Sequence, residues 1–244
     1  PQSNINGAID FLKKNQGSVK IYMIGNEKYI LPELEKNKNI SNDTFEIVHT
    51  SQTVDSDDKP SKIIKTKPDS SMNKAICLLK DNIVDAVISS GNTGCLVSSS
   101  FFNLGTIKGI KRPALFTIIP SEKGNFLLGD VGANPSSKPE QLLQFSKMAS
   151  IFAKYQLKIN EPRIALLNIG SESNKGTELI KETYTLMDNE LTNFIGNIES
   201  RYIFDSKADI VICDGFTGNI VLKLIEGTMN YNFSLIINKL NLKS

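Results

Sequence analysis

The sequence predicts an α/β protein built on a doubly wound, largely parallel sheet, and three observations predict it. Short apolar runs alternate with longer segments whose apolar residues recur every three or four positions. Five of the apolar runs lead into Gly-containing loops: SSGNTG at 89–94, GDVGAN at 129–134, NIGSESNKG at 168–176, FIGN at 194–197 and CDGFTGN at 213–219. No Pro-, Ser- or Gly-rich linker divides the 244 residues, so a single α/β domain over residues 1–244 is expected.

Taken in order, Ile5, Ile9 and Leu12 mark an opening helix before Gly17, and residues 19–25 read as a strand. Residues 45–49 form a short second strand. The stretch 51–69, which carries Asp55, Asp57, Asp58, Lys59, Lys62, Lys65 and Lys67, reads as a mobile polar loop. Asp69-Ser70-Ser71 can cap a helix from about Met72 to Asn82. Residues 84–90 read as a strand feeding GNTG and a helix through Leu104. Residues 114–119 and 126–131 flank a tight reversal at Gly124-Asn125 and form an antiparallel pair. Pro139 starts a helix to about Tyr155, 163–169 is a strand, 177–187 a helix, 209–213 a strand, and Asn219 opens a long helix. In that last helix Met229, Phe233, Ile236, Ile237 and Leu240 continue an apolar stripe, expected to pack on the sheet or on a second subunit.

Composition narrows the function class. A net charge of +2 gives no basic face of the size a nucleic-acid binder needs. Cys77, Cys95 and Cys213 are odd in number and widely spaced, which argues against a disulfide framework or a zinc site and fits a reducing cytosol. The opening Pro1-Gln2-Ser3-Asn4 is no secretory signal, and no run approaches the roughly 18 apolar residues of a membrane span. A cytoplasmic protein with weak peripheral contact at the inner face of the membrane is the expectation.

The glycines point to a site, because the carboxyl ends of parallel strands collect ligands and a missing Cβ lets backbone N–H groups approach an anion. The loops 91–94, 130–134, 168–176 and 214–219 are expected to meet there. Imidazole-assisted hydrolysis is excluded by scarcity: the one histidine, His49, sits on an early strand and reads as structural. Neither a Walker loop nor a Rossmann GxGxxG is present. Cys95 and Cys213 read as small packed groups rather than nucleophiles. What remains is amides and cations. Asn92, Thr93, Asn134, Asn168, Asn197 and Asn219 can donate to oxyanions, and Lys138 and Lys175 can neutralise a phosphate. No metal and no cofactor are called for.

At these loops the sequence resembles the PlsX family of bacterial acyl-ACP:phosphate acyltransferases. The matching stretches are PDSSM at 68–72, SSGNTG at 89–94, IKGIKRPAL at 107–115, DVGAN at 130–134 and KPEQLLQF at 138–145. They continue with LLNIGSESNKG at 166–176, FIGNIESR at 194–201 and ADIVICDGFTGNIVLKLIEG at 208–227. The resemblance implies transfer of a fatty acyl group from acyl carrier protein to inorganic phosphate for phospholipid synthesis. It also implies a fold related to isocitrate/isopropylmalate dehydrogenases and phosphotransacetylases, and a homodimer. Phosphate is then the nucleophile, so no triad is needed. Lys175 is the expected main cation, with Asn92, Asn134 and Asn168 as catalytic donors. Gly91, Thr93, Gly94, Asp130, Lys138, Gly176, Asp214, Gly215, Gly218 and Asn219 are expected to bind phosphate or substrate.

The chain also departs from the family. The strand ending in a DAMGGD-like motif that opens the family, and the strands with a Gly-rich ending that close it, are absent, so the domain is expected to be cut at both ends. Ser136 and Ser137 stand where Asp-Cys is common, and Ser171 where an acidic residue is common. Two alternatives stand beside the acyltransferase: a phosphate acetyl- or butyryltransferase acting on acyl-CoA, and an inactive homologue acting as a binding protein.

Overall fold

The computed structural model describes residues 2–15, 17–36 and 41–240, the side chain of Asn42 excepted. The chain divides into two compact units, residues 1–107 and 108–244.

In the first unit, helix α1 (Gln2–Lys14) buries Ile5, Ile9 and Leu12, the three positions its periodicity marks. They pack with Met23 of strand β1 (Ile21–Gly25) and Ile30 of helix α2 (Glu27–Glu35). Strand β2 (Phe45–His49) lies parallel to β1 with Ile21 opposite Phe45. Helix α2 has no clear signature in the sequence, because Pro32 interrupts it and only Ile30 is buried. His49 is structural: its Nδ1 accepts from the Glu27 N–H at 3.4 Å, at the start of α2.

The 51–69 stretch is more ordered than its composition predicts. Lys67 donates to Asp55 at 2.9 Å, to Asp58 at 2.6 Å and to the Thr53 carbonyl at 2.7 Å. The Lys67 hydrogen bond holds the Asp58 carboxyl below its usual range. Helix α3 (Ile63–Thr66) buries Ile63 against Met72 and Cys95. Ser70 caps helix α4 (Ser71–Lys80), its Oγ accepting from Asn73 N–H.

Residues 84–90 are not a strand. They are irregular, Ile88 is almost fully exposed, and among the described residues they join no ladder. An apolar run becomes a strand only where a neighbour takes up its N–H and C=O groups. Helix α5 (Thr93–Leu104) follows as expected.

In the second unit, strands β3 (Phe116–Ser121) and β4 (Gly124–Gly129) form the expected antiparallel pair, with Ser121 opposite Gly124. Strands β5 (Ile164–Asn168), β6 (Phe194–Glu199) and β7 (Ile210–Ile212) complete a five-stranded sheet of order β3-β4-β7-β5-β6. All neighbours except β3–β4 are parallel. Successive strand residues face opposite sides. Leu127, Ile164, Leu166, Ile210 and Ile212 pack against helices α6 (Pro139–Phe152) and α7 (Glu178–Glu190). Phe126, Leu128, Ala165, Leu167, Val211 and Cys213 form the opposite layer, covered by Val221, Leu222 and Ile225 of helix α8 (Gly215–Lys239). With both faces buried, these strands read as continuous apolar runs rather than alternating ones.

Two expectations are corrected here. FIGN at 194–197 is not a loop after a strand but the first part of β6. Helix α8 begins at Gly215, not Asn219, so the last Gly loop is a helical turn.

Candidate active site

Strands β4, β7, β5 and β6 run in one direction, so the loops 130–138, 169–177 and 213–219 emerge at the same edge of the five-stranded sheet. Three of the four Gly loops expected to meet are thus on one edge. Residues 91–94 belong to the first unit.

Asp130 is fully buried and organises the first loop. Its Oδ1 accepts from the N–H groups of Leu115 (3.2 Å), Gly132 (3.1 Å) and Ala133 (2.9 Å); its Oδ2 accepts from the Asn134 N–H (2.8 Å) and Nδ2 (2.7 Å). A carboxylate in this position repels phosphate, and its acceptors are taken, so Asp130 shapes the loop instead of binding substrate. Asn134 is corrected likewise. Its Nδ2 also donates to the Pro113 carbonyl at 2.7 Å, which leaves no N–H for an oxyanion.

The α8 glycines do allow close approach, but to the protein's own backbone. A Cβ on Gly218 would overlap the Asp130 carbonyl oxygen, and one on Gly215 would sit 2.6 Å from the Asn134 oxygen. Gly215 N–H donates to that same oxygen at 2.9 Å. Asp214 caps α8, accepting from the N–H groups of Phe216 (3.1 Å) and Thr217 (3.0 Å) and from Thr217 Oγ1 (2.8 Å). The positive end of α8 is therefore served by its own carboxylate. One turn later Asn219 is exposed, with its side chain beside Gly132, and that side chain makes no hydrogen bond among the described residues.

The loop after β5 carries Lys175. Asn168, expected to be a catalytic donor, closes this loop with one of its two amide N–H groups: its Nδ2 donates to the Lys175 carbonyl at 3.1 Å and its Oδ1 accepts from Ile169 N–H at 2.8 Å. Gly176, at φ +92°, packs against that amide, where a Cβ would lie 2.5 Å from Asn168 Oδ1. Lys175 itself is exposed and forms no ion pair among the described residues. The same is true of Lys138, whose backbone N–H donates to Gln141 Oε1 at 2.8 Å in the first turn of α6. Beside it the Ser137 hydroxyl is buried without a partner. The sequence marks Ser137 only as a departure from the family pattern, and nothing in it signals a buried, unpartnered hydroxyl.

In the first unit, Asn92 is a helix cap rather than a free donor. Its Oδ1 accepts from Cys95 N–H at 3.1 Å, and its Nδ2 donates to the Ser56 carbonyl at 3.0 Å. Gly94 packs on Pro60, 2.9 Å from a would-be Cβ, Gly91 packs near Met72, and Thr93 is exposed at the start of α5. Burial, followed by the Asp58 charge, pushes the Cys95 thiol up; burial, followed by Asp214 and Asp130, pushes Cys213 far up. Neither is poised as a thiolate. Among the groups without a side-chain partner in the described residues, Lys138, Lys175 and Asn219 are two cations and an amide, a set suited to a phosphate-sized dianion.

Comparison with known proteins places the chain in a family. A family model described as "fatty acid synthesis protein" matches residues 1–244. A phosphate acyltransferase of Halothermothrix orenii is 41% identical over 99% of this chain and 72% of its own length. One of Clostridioides difficile is 42% identical over 97% of this chain and 69% of its own length. Among solved structures, the EutD phosphotransacetylase of Staphylococcus aureus aligns with a TM-score of 0.55 at 12% identity, covering 94% of this chain and 87% of that one. A branched-chain phosphotransacylase of Enterococcus faecalis V583 aligns at 0.53 and 17% identity, covering 84% and 83%. These two share the α/β fold. With the family model spanning the whole chain and relatives above 40% identity, the chain belongs to the fatty acid synthesis protein family, that of the phosphate acyltransferases.

Proposed function

We propose that the chain transfers a fatty acyl group from acyl carrier protein to inorganic phosphate, yielding acyl phosphate for phospholipid synthesis. One observation carries this reading: the carboxyl edge of the sheet presents Lys138, Lys175 and Asn219 with no side-chain partner among the described residues, while Asp130, Asn134, Asn168 and Asp214 are engaged in holding the loops and capping α8. A phosphate oxygen attacks the thioester carbonyl, the tetrahedral oxyanion forms, and its collapse breaks the C–S bond and releases the carrier thiolate, which takes up a proton. Lys175 neutralises phosphate and the charge that develops on the carbonyl oxygen; Lys138 and Asn219 orient the dianion. Gly215 and Gly218 serve by letting α8 sit against the 130–134 loop, which brings Asn219 beside Gly132.

In this reading the protein works in the cytoplasm as a homodimer with weak peripheral membrane contact. The second half of α8 supports it, since Met229, Phe233, Ile236 and Leu240 are exposed, and no helix among the described residues is long and apolar enough to cross a membrane. Purified protein incubated with palmitoyl-ACP and phosphate should give acyl phosphate by mass detection, in proportion to phosphate added. Turnover with acyl-CoA but not acyl-ACP would replace the donor. No phosphate-dependent turnover with either would leave a binding protein.

A further inference from the structure

We propose that Asn197, set in place by a one-residue bulge in β6, is a positioning residue for Lys175. This rests on the reading of Lys175 as the phosphate-facing cation. Strand β6 pairs with β5 through Ile164–Phe194, then Leu166–Asn197, Leu167–Ile198 and Asn168–Glu199. Between the first two pairs β5 advances by two residues and β6 by three, so β6 holds one extra residue at Ile195-Gly196. Gly196 has φ +95°, a conformation that favours glycine, although a Cβ would meet nothing nearer than the Tyr184 hydroxyl at 3.8 Å. The requirement is conformational, not spatial.

The extra residue decides which face Asn197 takes. In an unbulged register Asn197 would oppose Leu167, whose side chain belongs to the layer under α8. With the bulge it opposes Leu166, on the face packed by α6 and α7, towards which the 169–177 loop runs. There its Nδ2 donates to the Glu172 carbonyl at 2.9 Å, the same oxygen that accepts from Lys175 N–H at 3.2 Å. Asn168 holds the other side of the loop through the Lys175 carbonyl. Two amides, one at the end of β5 and one inside the adjoining β6, thus grip the backbone on both sides of one exposed lysine. The Asn197 Oδ1 is meanwhile buried with no donor. A fold retains such an unsatisfied acceptor at few places, and here the retained pose is the one that makes the bond to Glu172.

The test uses Asn197→Asp, which keeps the shape but removes the donor, and Gly196→Ala, which strains the bulge. Each is made in the whole chain, alone and with Lys175→Ala. Hydrogen exchange in peptides spanning 169–176 should accelerate at least tenfold with the rest of the sheet unchanged. Turnover should fall at least tenfold in kcat/KM for phosphate, with KM for the acyl donor unmoved, and each change should cost less than twofold once Lys175 is already alanine. Unchanged exchange in both variants overturns the clamp. Faster exchange with wild-type turnover, or equal losses with and without Lys175, overturns its role in positioning. If Lys175→Ala alone retains full turnover, the assignment of Lys175 fails instead, and the exchange result still decides the clamp.

Discussion

The two edges of the five-stranded sheet are built from the same strands and treat their polar groups in opposite ways. At the amino edge, Arg163 donates from Nε and Nη2 to both oxygens of Asp209 at 2.9 Å and also to the Ser206 carbonyl. Asn193 donates to the Pro162 carbonyl at 2.6 Å, and Lys147 pairs with Glu190 at 2.6 Å. The largest cavity described, about 880 Å³, opens there between the ends of α6 and α7, yet two of its three cations, Lys147 and Arg163, are engaged. At the carboxyl edge a cavity of about 320 Å³ borders the 169–177 loop at Ser173 and Asn174, while Lys138, Lys175 and Asn219 have no side-chain partner among the described residues. The larger of these two volumes lies at the stapled edge, and the free lysines of the 130–138 and 169–177 loops lie at the other. For a substrate as small as phosphate the second is the better guide to function.

The largest effect expected is structural and belongs to the carboxyl edge. In Gly218→Ala the added methyl meets the backbone oxygen of Asp130 and the Cys213 sulfur, and neither can turn aside. Destabilisation of about 3 kcal/mol or more is expected, read as a shift of the denaturant midpoint at constant slope. A midpoint unchanged within error would mean that α8 does not rest on the 130–134 loop, and with it Asn219 would lose its place beside Gly132.

Next comes Lys175→Ala. An exposed loop lysine adds little to stability, whereas a phosphate-facing one is worth about 3 kcal/mol in the transition state, so turnover should fall about a hundredfold while the thermal midpoint holds. Lys175→Arg should recover part of the loss. Equal activity in the alanine variant would remove the main contrast between the edges. Lys138→Ala should act more mildly, raising KM for phosphate about tenfold with a smaller change in kcat, because its neighbours keep the rest of the site in order.

How much of this was legible in the sequence follows from the range of each interaction. Local signals held: Ile5, Ile9 and Leu12 mark the buried face of α1, the 121–125 segment reverses the chain between β3 and β4, although at Glu122-Lys123 with Gly124-Asn125 already in β4, Pro139 opens α6 and Ser70 caps α4. Pairing is not local, so the apolar run at 84–90 predicts a strand where no neighbour completes it. The Gly loops were found, but not their reasons. A glycine that admits a ligand and one that admits a neighbouring carbonyl look the same in sequence, and only packing separates Gly218 from an anion cradle. The asparagines pose the same difficulty: Asn92, Asn134 and Asn168 have the composition of oxyanion donors, yet the first two give both side-chain N–H groups to the chain itself and Asn168 gives one. The bulge at Gly196 was hidden altogether, because one extra residue shows only once two strands are aligned.

The smallest effect expected lies at the amino edge and tests whether that edge is only a staple. Burial raises the Asp209 carboxyl, but the Arg163 side-chain and backbone hydrogen bonds outweigh it, so the group is held below the usual carboxylate range when folded. A carboxyl depressed in the folded state contributes stability above its unfolded value near 3.9, and that contribution is lost as pH falls through the lower folded value. Asp209→Asn should therefore cost about 1 kcal/mol at pH 7, the scale of a partly exposed ion pair, and the difference from the parent protein should shrink as pH falls below the unfolded value near 3.9. Denaturant titrations at pH 7, 5, 4 and 3 would show it. Turnover at neutral pH should remain within twofold of the parent, since Asp209 lies at the opposite end of the strands from Lys175. A loss of turnover larger than the loss of stability explains would place chemistry at the amino edge and undo the distinction between the two.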